Sequence, residues 1–124
     1  MARQSRPEEI IHRAIAEYLS VLAPRTRVDA PFIWFHVPNG GGRSKAEGGV
    51  LKALGALAGV PDILIIDPMG RVRFGEVKPP KKDLSDSQQV FERALYRVCA
   101  EEAQLDVWRS VDDCRDSLKK WGLV

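Results

Sequence analysis

The chain has 124 residues and a formal net charge of only +2, which fits one domain and excludes a histone-like polycation. Its hydrophobic fraction of 44% and charged fraction of 29% are those of an ordinary globular protein, with room for a local basic patch. No apolar run approaches the roughly 18 residues of a membrane span, and the start, Met1 to Glu9, has no apolar signal-peptide core. A cytoplasmic location is therefore expected, with Cys99 and Cys114 reduced. Two cysteines and two scattered histidines, His12 and His36, do not suggest a zinc site.

The spacing of Ile11, Ile15, Tyr18, Leu19 and Leu22 predicts a first helix over 7–22 with one core face. Ser5 can cap it, and Glu8 and Glu9 suit its positive end. Either glutamate is thus explained by the helix dipole, or points into a site. Phe32 to Val37 reads as a short strand. Pro38 to Gly49 is glycine-rich, but it lacks both the Gly-Lys-Ser/Thr ending of a nucleotide loop and the spaced glycines of a dinucleotide fingerprint. It is either a plain flexible loop or one carrying Arg43 and Lys45 to a nucleic-acid backbone. A short helix is expected over 50–58, with Leu51, Leu54 and Leu57 buried and Lys52 outside, ended by Gly59.

The next stretch carries the chemistry. Ile63 to Ile66 is an apolar, β-branched run that suits a buried strand. Asp67-Pro68-Met69-Gly70 is turn chemistry, and Arg71 to Lys78 is the returning strand. With residues 67–70 as the loop, Asp62 faces Gly75 and lies beside Glu76; a one-residue irregularity puts the two acids opposite, about 5 Å apart at Cβ. Glu76 and Lys78 share one strand face and Val77 turns into the core. Two acids on apolar strands repel and are costly to bury unless a cation lies between them. A hard divalent ion with oxygen ligands is the natural occupant.

Pro79 and Pro80 end that strand, and Lys81-Lys82 follows. Ser85 and Gln88 form a capping box for a long helix to about Glu102, with Val90, Phe91, Ala94, Leu95 and Val98 as its core stripe. Gln88 is either this cap or a member of the site. Gln104 to Arg109 reads as an outer strand, and Ser110 or Asp112 starts a last helix with Cys114, Leu118 and Trp121 inward. The order predicts an α/β sandwich around a central mixed β-sheet flanked by helices.

These residues resemble the VRR-NUC (virus-type replication-repair nuclease) group of the PD-(D/E)XK nuclease superfamily, over nearly the whole chain. The resemblance rests on Pro61-Asp62, Glu76-Val77-Lys78 and Leu84-Ser85-Asp86-Ser87-Gln88. Val37-Pro38-Asn39-Gly40-Gly41 through Arg43, and the stretch from Lys52 to Asp62, are similar to the same group. It implies a single restriction-endonuclease-like domain and a DNA endonuclease that depends on Mg2+ or Mn2+. It also implies selectivity for branched or Holliday-junction DNA in replication and repair, and a homodimer. Carried over, Asp62, Glu76 and the Val77 carbonyl would hold the metal, and Lys78 would orient or activate the attacking water. Glu8 matches the first-helix glutamate of the group, with Glu9 as the alternative, and Gln88 matches its helix glutamine. His12 stands where the group often has glutamine, and 100–104 lacks a usual glycine. Asn39, Arg43, Lys45, Lys52, Lys81 and Lys82 are the candidate DNA contacts. A catalytically silent DNA-binding or scaffold module is the alternative, and a structural domain with a surface Glu76–Lys78 salt bridge is a third reading.

Overall fold

The protein is described from a computed structural model, which covers residues 5–38, 44–100 and 103–124. Its elements run α1 (Arg6–Leu22), β1 (Ile33–His36), α2 (Lys45–Ala53), β2 (Ile63–Ile66), β3 (Val72–Val77), α3 (Asp86–Cys99), β4 (Gln104–Trp108) and α4 (Val111–Lys120). This is the predicted order, and the sheet is mixed as expected. Strands β1, β2 and β3 pair antiparallel in sequence, and β4 joins β3 in parallel at the far edge.

One sheet face carries the core. Trp34, Ile63, Ile65, Val77 and Trp108 point to one side, where α1 supplies Ile15 and Leu19, α4 supplies Cys114 and Leu118, and Trp121 follows as the α4 C-cap. Strand alternation accounts for this selection, since residues two apart share a face. The two helices start at good caps: Ser5 Oγ accepts from the Glu8 N–H, and Ser110 Oγ from the Asp113 N–H. The buried indole groups are satisfied too. Trp34 Nε1 donates to the Ala23 carbonyl and Trp108 Nε1 donates to Ser117 Oγ.

On the opposite face α3 packs on β3 and β4. Phe91 meets Phe74 edge to face at 5.4 Å, and the Tyr96 hydroxyl both donates to the Leu105 carbonyl and accepts from its N–H. The predicted α3 core stripe is therefore corrected. Phe91 and Leu95 are half-buried, but Val90, Ala94 and Val98 are exposed, Val98 by 82%. A single helix on a narrow sheet buries one line of residues, not a wide stripe. The helix also ends at Cys99, and Ala100 takes a φ of +50°, the left-handed conformation a glycine would supply without strain.

The helix expected at 50–58 is also shifted. It spans Lys45–Ala53 because Ser44 and Glu47 form a capping box. Residues 45–49 are thus helical instead of flexible loop. Leu51 is half-buried, whereas Leu54 and Leu57 are exposed, Leu54 by 78%, contrary to the predicted inward side.

Gly75 shows how tightly the central strand is packed. A Cβ there would stand 2.2 Å from the Trp108 ring. Gly75→Ala is expected to lose about 2–4 kcal/mol, because the indole is wholly buried and cannot retreat. Gly48→Ala, in open space within α2, is expected to gain up to about 1 kcal/mol. Urea denaturation of both variants checks the contrast.

Candidate metal and catalytic site

The β2–β3 hairpin builds the site through its register. Ile66 pairs with Val72 and Ile63 with Gly75, so the loop is one residue longer than 67–70. Asp67 enforces this. Its N–H donates to the Arg71 carbonyl, and its Oδ1 accepts from the N–H groups of Met69 and Arg71. Asp67 Oδ2 lies 3.4 Å from both Arg71 Nε and Arg73 Nε. The added residue carries the ladder on to Asp62 opposite Glu76, the second of the two expected registers.

Asp62 is locked at this point. Its Oδ2 accepts from the Val77 N–H at 2.8 Å, and its backbone carbonyl accepts from the Val37 N–H at 2.7 Å. Gly59 makes the approach possible. Its φ is +89°, and a Cβ would meet the Ser87 carbonyl oxygen at 2.2 Å. The chain entering Asp62 therefore lies directly against the start of α3, where Gln88 sits.

Gln88 makes two contacts at once. Its Oε1 accepts from the Ser85 N–H at 2.8 Å as the helix cap, while its Nε2 donates to Glu76 Oε1 at 3.3 Å. The same amide thus closes the helix end and holds one oxygen of the acid.

Glu76 is 3% exposed and Lys78 5% exposed. The surface salt bridge between them is thereby ruled out. Glu76 Oε2 is buried with no hydrogen-bond donor. Burial, first, and then the close approach of the Asp62 side chain and its negative charge push the Glu76 carboxyl up to about 10. The Lys78 ammonium pulls the other way, and Glu8 adds to the rise. An acid held uncharged in this manner is stabilised in its charged form only if a cation joins it. The orphaned Oε2 beside a second carboxylate therefore fits a divalent ion. Asp62 and Glu76 are the carboxylates brought together here. Among the described residues no three His, Cys, Asp or Glu side chains gather into a metal-holding group, so any ion here relies on the backbone and water as well.

On α1, Glu8 is half-buried and acts electrostatically on Glu76, while Glu9 is turned outward, 3.7 Å from Arg13. The helix thus presents Glu8 to the site. One turn further on, His12 is buried, with its ring 4.5 Å from that of His36, edge to face. His36 Nδ1 lies 2.8 Å from the Asp62 carbonyl oxygen. The two histidines that look scattered in the sequence thus meet beside Asp62. Burial and the neighbouring His36 lower the His12 pKa, against the opposing pull of Asp62. The available signal was the four-residue step from Glu8 to His12, which places both on one helix face.

The basic candidates are more dispersed. Lys45 and Lys52 lie at the two ends of α2, and Lys81 and Lys82 follow β3; all four are exposed. Asn39 and Arg43 lie outside the described residues. Arg109, not singled out in the sequence, donates from Nη1 to the carbonyls of Pro79 and Lys82.

The state of Glu76 has a measurable consequence. Unfolded, its carboxyl releases a proton near 4.5; folded, it keeps that proton up to about 10. Between those values the folded chain binds the extra proton, so metal-free stability falls as pH rises, by at most about 1.4 kcal/mol per pH unit. Glu76→Gln is expected to flatten this slope and to raise metal-free stability at pH 8. Urea titrations across pH 5–9 check both outcomes.

No family model matches the sequence, and no curated protein does. A solved structure described as a VRR_NUC domain is similar in fold, with a TM-score of 0.51 at 20% identity, over 94% of this chain and 97% of that one. The chain therefore has the fold of a VRR_NUC domain, an α/β architecture with a mixed four-stranded sheet.

Proposed function

We propose that this protein is a divalent-metal-dependent deoxyribonuclease that hydrolyses phosphodiester bonds. The observation that carries the reading is the buried, unpaired Glu76 oxygen facing Asp62, with Lys78 beside them, in the fold of a VRR_NUC domain. Asp62, Glu76 and the Val77 carbonyl would hold Mg2+ or Mn2+. Such an ion, when bound, supplies Lewis acidity toward a phosphate oxygen and acidifies water. Lys78 is a compact cation on a flexible stem, suited to orient the attacking water and to offset charge gathering on the phosphate. That water gives up a proton to solvent as its oxygen bonds to phosphorus, the bond to the leaving oxygen breaks, and the leaving oxygen takes up a proton from solvent. Gln88 fixes the Glu76 carboxylate, and Glu8 lends negative charge from α1.

DNA would be held through its phosphates by Lys45, Lys52, Lys81 and Lys82, with Asn39 and Arg43 as further candidates. Contacts of that kind position a duplex without reading its bases. We place branched DNA as the preferred substrate and repair or replication as the setting, with a homodimer presenting two symmetric sites. The exposed Val50, Leu54 and Leu57 near α2, and Ile33 on the edge strand β1, support a second copy. Among the described residues no helix is long and apolar enough to cross a membrane.

A second reading, a catalytically silent DNA-binding module, is favoured by the small number of metal-liganding side chains at the site. Cleavage assays on duplex, single-stranded and four-way-junction DNA separate the two. Wild type is expected to cut with Mg2+ or Mn2+ and not with chelator. Asp62→Ala, Glu76→Ala and Lys78→Ala should each lose at least about a hundredfold in rate. Equal cleavage by all three variants would overturn the nuclease assignment, and salt-sensitive binding without any cleavage would favour the silent module. Light scattering on the same samples should report a dimer; a monomer at assay concentration would count against the two-site arrangement.

A further inference from the structure

The segment that follows Lys78 is unusual in how its backbone is held. Pro79 and Pro80 have no N–H to donate, so the turn cannot be closed by the ordinary ladder. The Lys82 N–H reaches the Pro79 carbonyl at 3.3 Å, and Lys81 sits at φ +68°, a left-handed conformation costly for a residue with a side chain. The turn is held from the far side of the sheet edge. Arg109 Nη1 donates to the Pro79 carbonyl at 2.8 Å and to the Lys82 carbonyl at 2.7 Å. Arg109 is itself fixed at the entry to α4, where its N–H donates to Asp113 Oδ2 at 2.8 Å.

This arrangement has an electrostatic result. The guanidinium takes up two carbonyl oxygens, the negative ends of the local peptide dipoles. The ammonium-bearing side chains of Lys81 and Lys82 remain exposed outside. They lie three and four residues beyond Lys78, so a phosphate bound there is close to the catalytic lysine along the chain.

We propose that Arg109 is a positioning residue that shapes the 79–82 turn into a phosphate-binding subsite for DNA, with Lys81 and Lys82 as its contacting groups. This rests on the nuclease reading above. It adds a residue that touches no substrate and acts only through the turn. Both bonds come from the one nitrogen Nη1, whose two N–H groups are held in the guanidinium plane and so aim at two carbonyls in a fixed geometry; a freely rotating ammonium on a flexible stem is less well organised for the pair.

The test is binding of the full chain to fluorescently labelled duplex and four-way-junction DNA, in calcium, at several salt concentrations. Arg109→Gln is expected to weaken binding roughly tenfold at low salt and to make the dependence of log affinity on log salt shallower by about one to two, as for lost phosphate contacts. Lys81→Gln/Lys82→Gln should have the same effect, and adding Arg109→Gln to that pair should change nothing further. Arg109→Lys should fall between wild type and Arg109→Gln, and it carries the test if Arg109→Gln does not fold. Binding and salt slope equal to wild type in the folded Arg109 variants would overturn the proposal while leaving the nuclease reading intact. So would a further loss when Arg109→Gln is added to the lysine pair, the mark of a merely structural staple. Wild type that fails to bind DNA at all would overturn the nuclease reading itself, and the subsite with it.

Discussion

The site depends on one carboxylate that does no chemistry. Asp67 gathers the N–H groups of Met69 and Arg71 on a single oxygen and sets its other oxygen near two arginines. Side-chain acceptance of backbone donors is what lets aspartate define a turn. Here it fixes a loop one residue longer than the four-residue turn motif suggests. A slip of one residue in a hairpin moves every partner and turns side chains to the wrong face. The opposition of Asp62 and Glu76 is therefore set some five residues away, at the tip.

With that register set, the remaining elements bear on the two acids from different directions. Gly59 brings the Asp62 strand against α3, the Gln88 amide joins helix cap to Glu76, and α1 turns Glu8 and His12 toward the same end of the sheet. The other sheet face is filled by Trp108 over Gly75, which leaves no slack in the strand that carries Glu76 and Lys78. The outcome is a carboxylate that burial and a like charge keep protonated. Burying such a group costs stability unless something positive arrives, which is the usual condition of a binding site held ready for its ion.

Much of this was legible in the sequence, where local chemistry sets local structure. Ser5, Ser85 and Ser110 announce three helix starts, and the run Ile63–Ile66 with Asp67-Pro68-Met69-Gly70 announces the hairpin. The acids and lysine follow from periodicity once the hairpin is accepted. One error was local: the Ser44-x-x-Glu47 capping box, present in the sequence, starts α2 upstream in a stretch whose glycines suggest a loop. The others arose where tertiary packing decides. The inward faces expected of α2 and α3 are realised only in part, at Leu51, Phe91 and Leu95, because apolar spacing states which residues share a face and not whether anything covers it. The meeting of His12 with His36, and the reach of Arg109 to the 79–82 turn, span 24 and roughly 30 residues and leave no local signature.

The central claim is that Asp62 and Glu76 form a divalent-cation site whose occupation displaces the proton of Glu76. Isothermal titration with Mn2+ in two buffers of different ionisation heat tests it most directly, since metal binding to protonated ligands releases protons. The account predicts saturable binding at one or more sites, with about one proton released at pH 7, and loss of that binding in Asp62→Ala. Absence of binding to wild type, or binding that persists unchanged in Asp62→Ala, would contradict it.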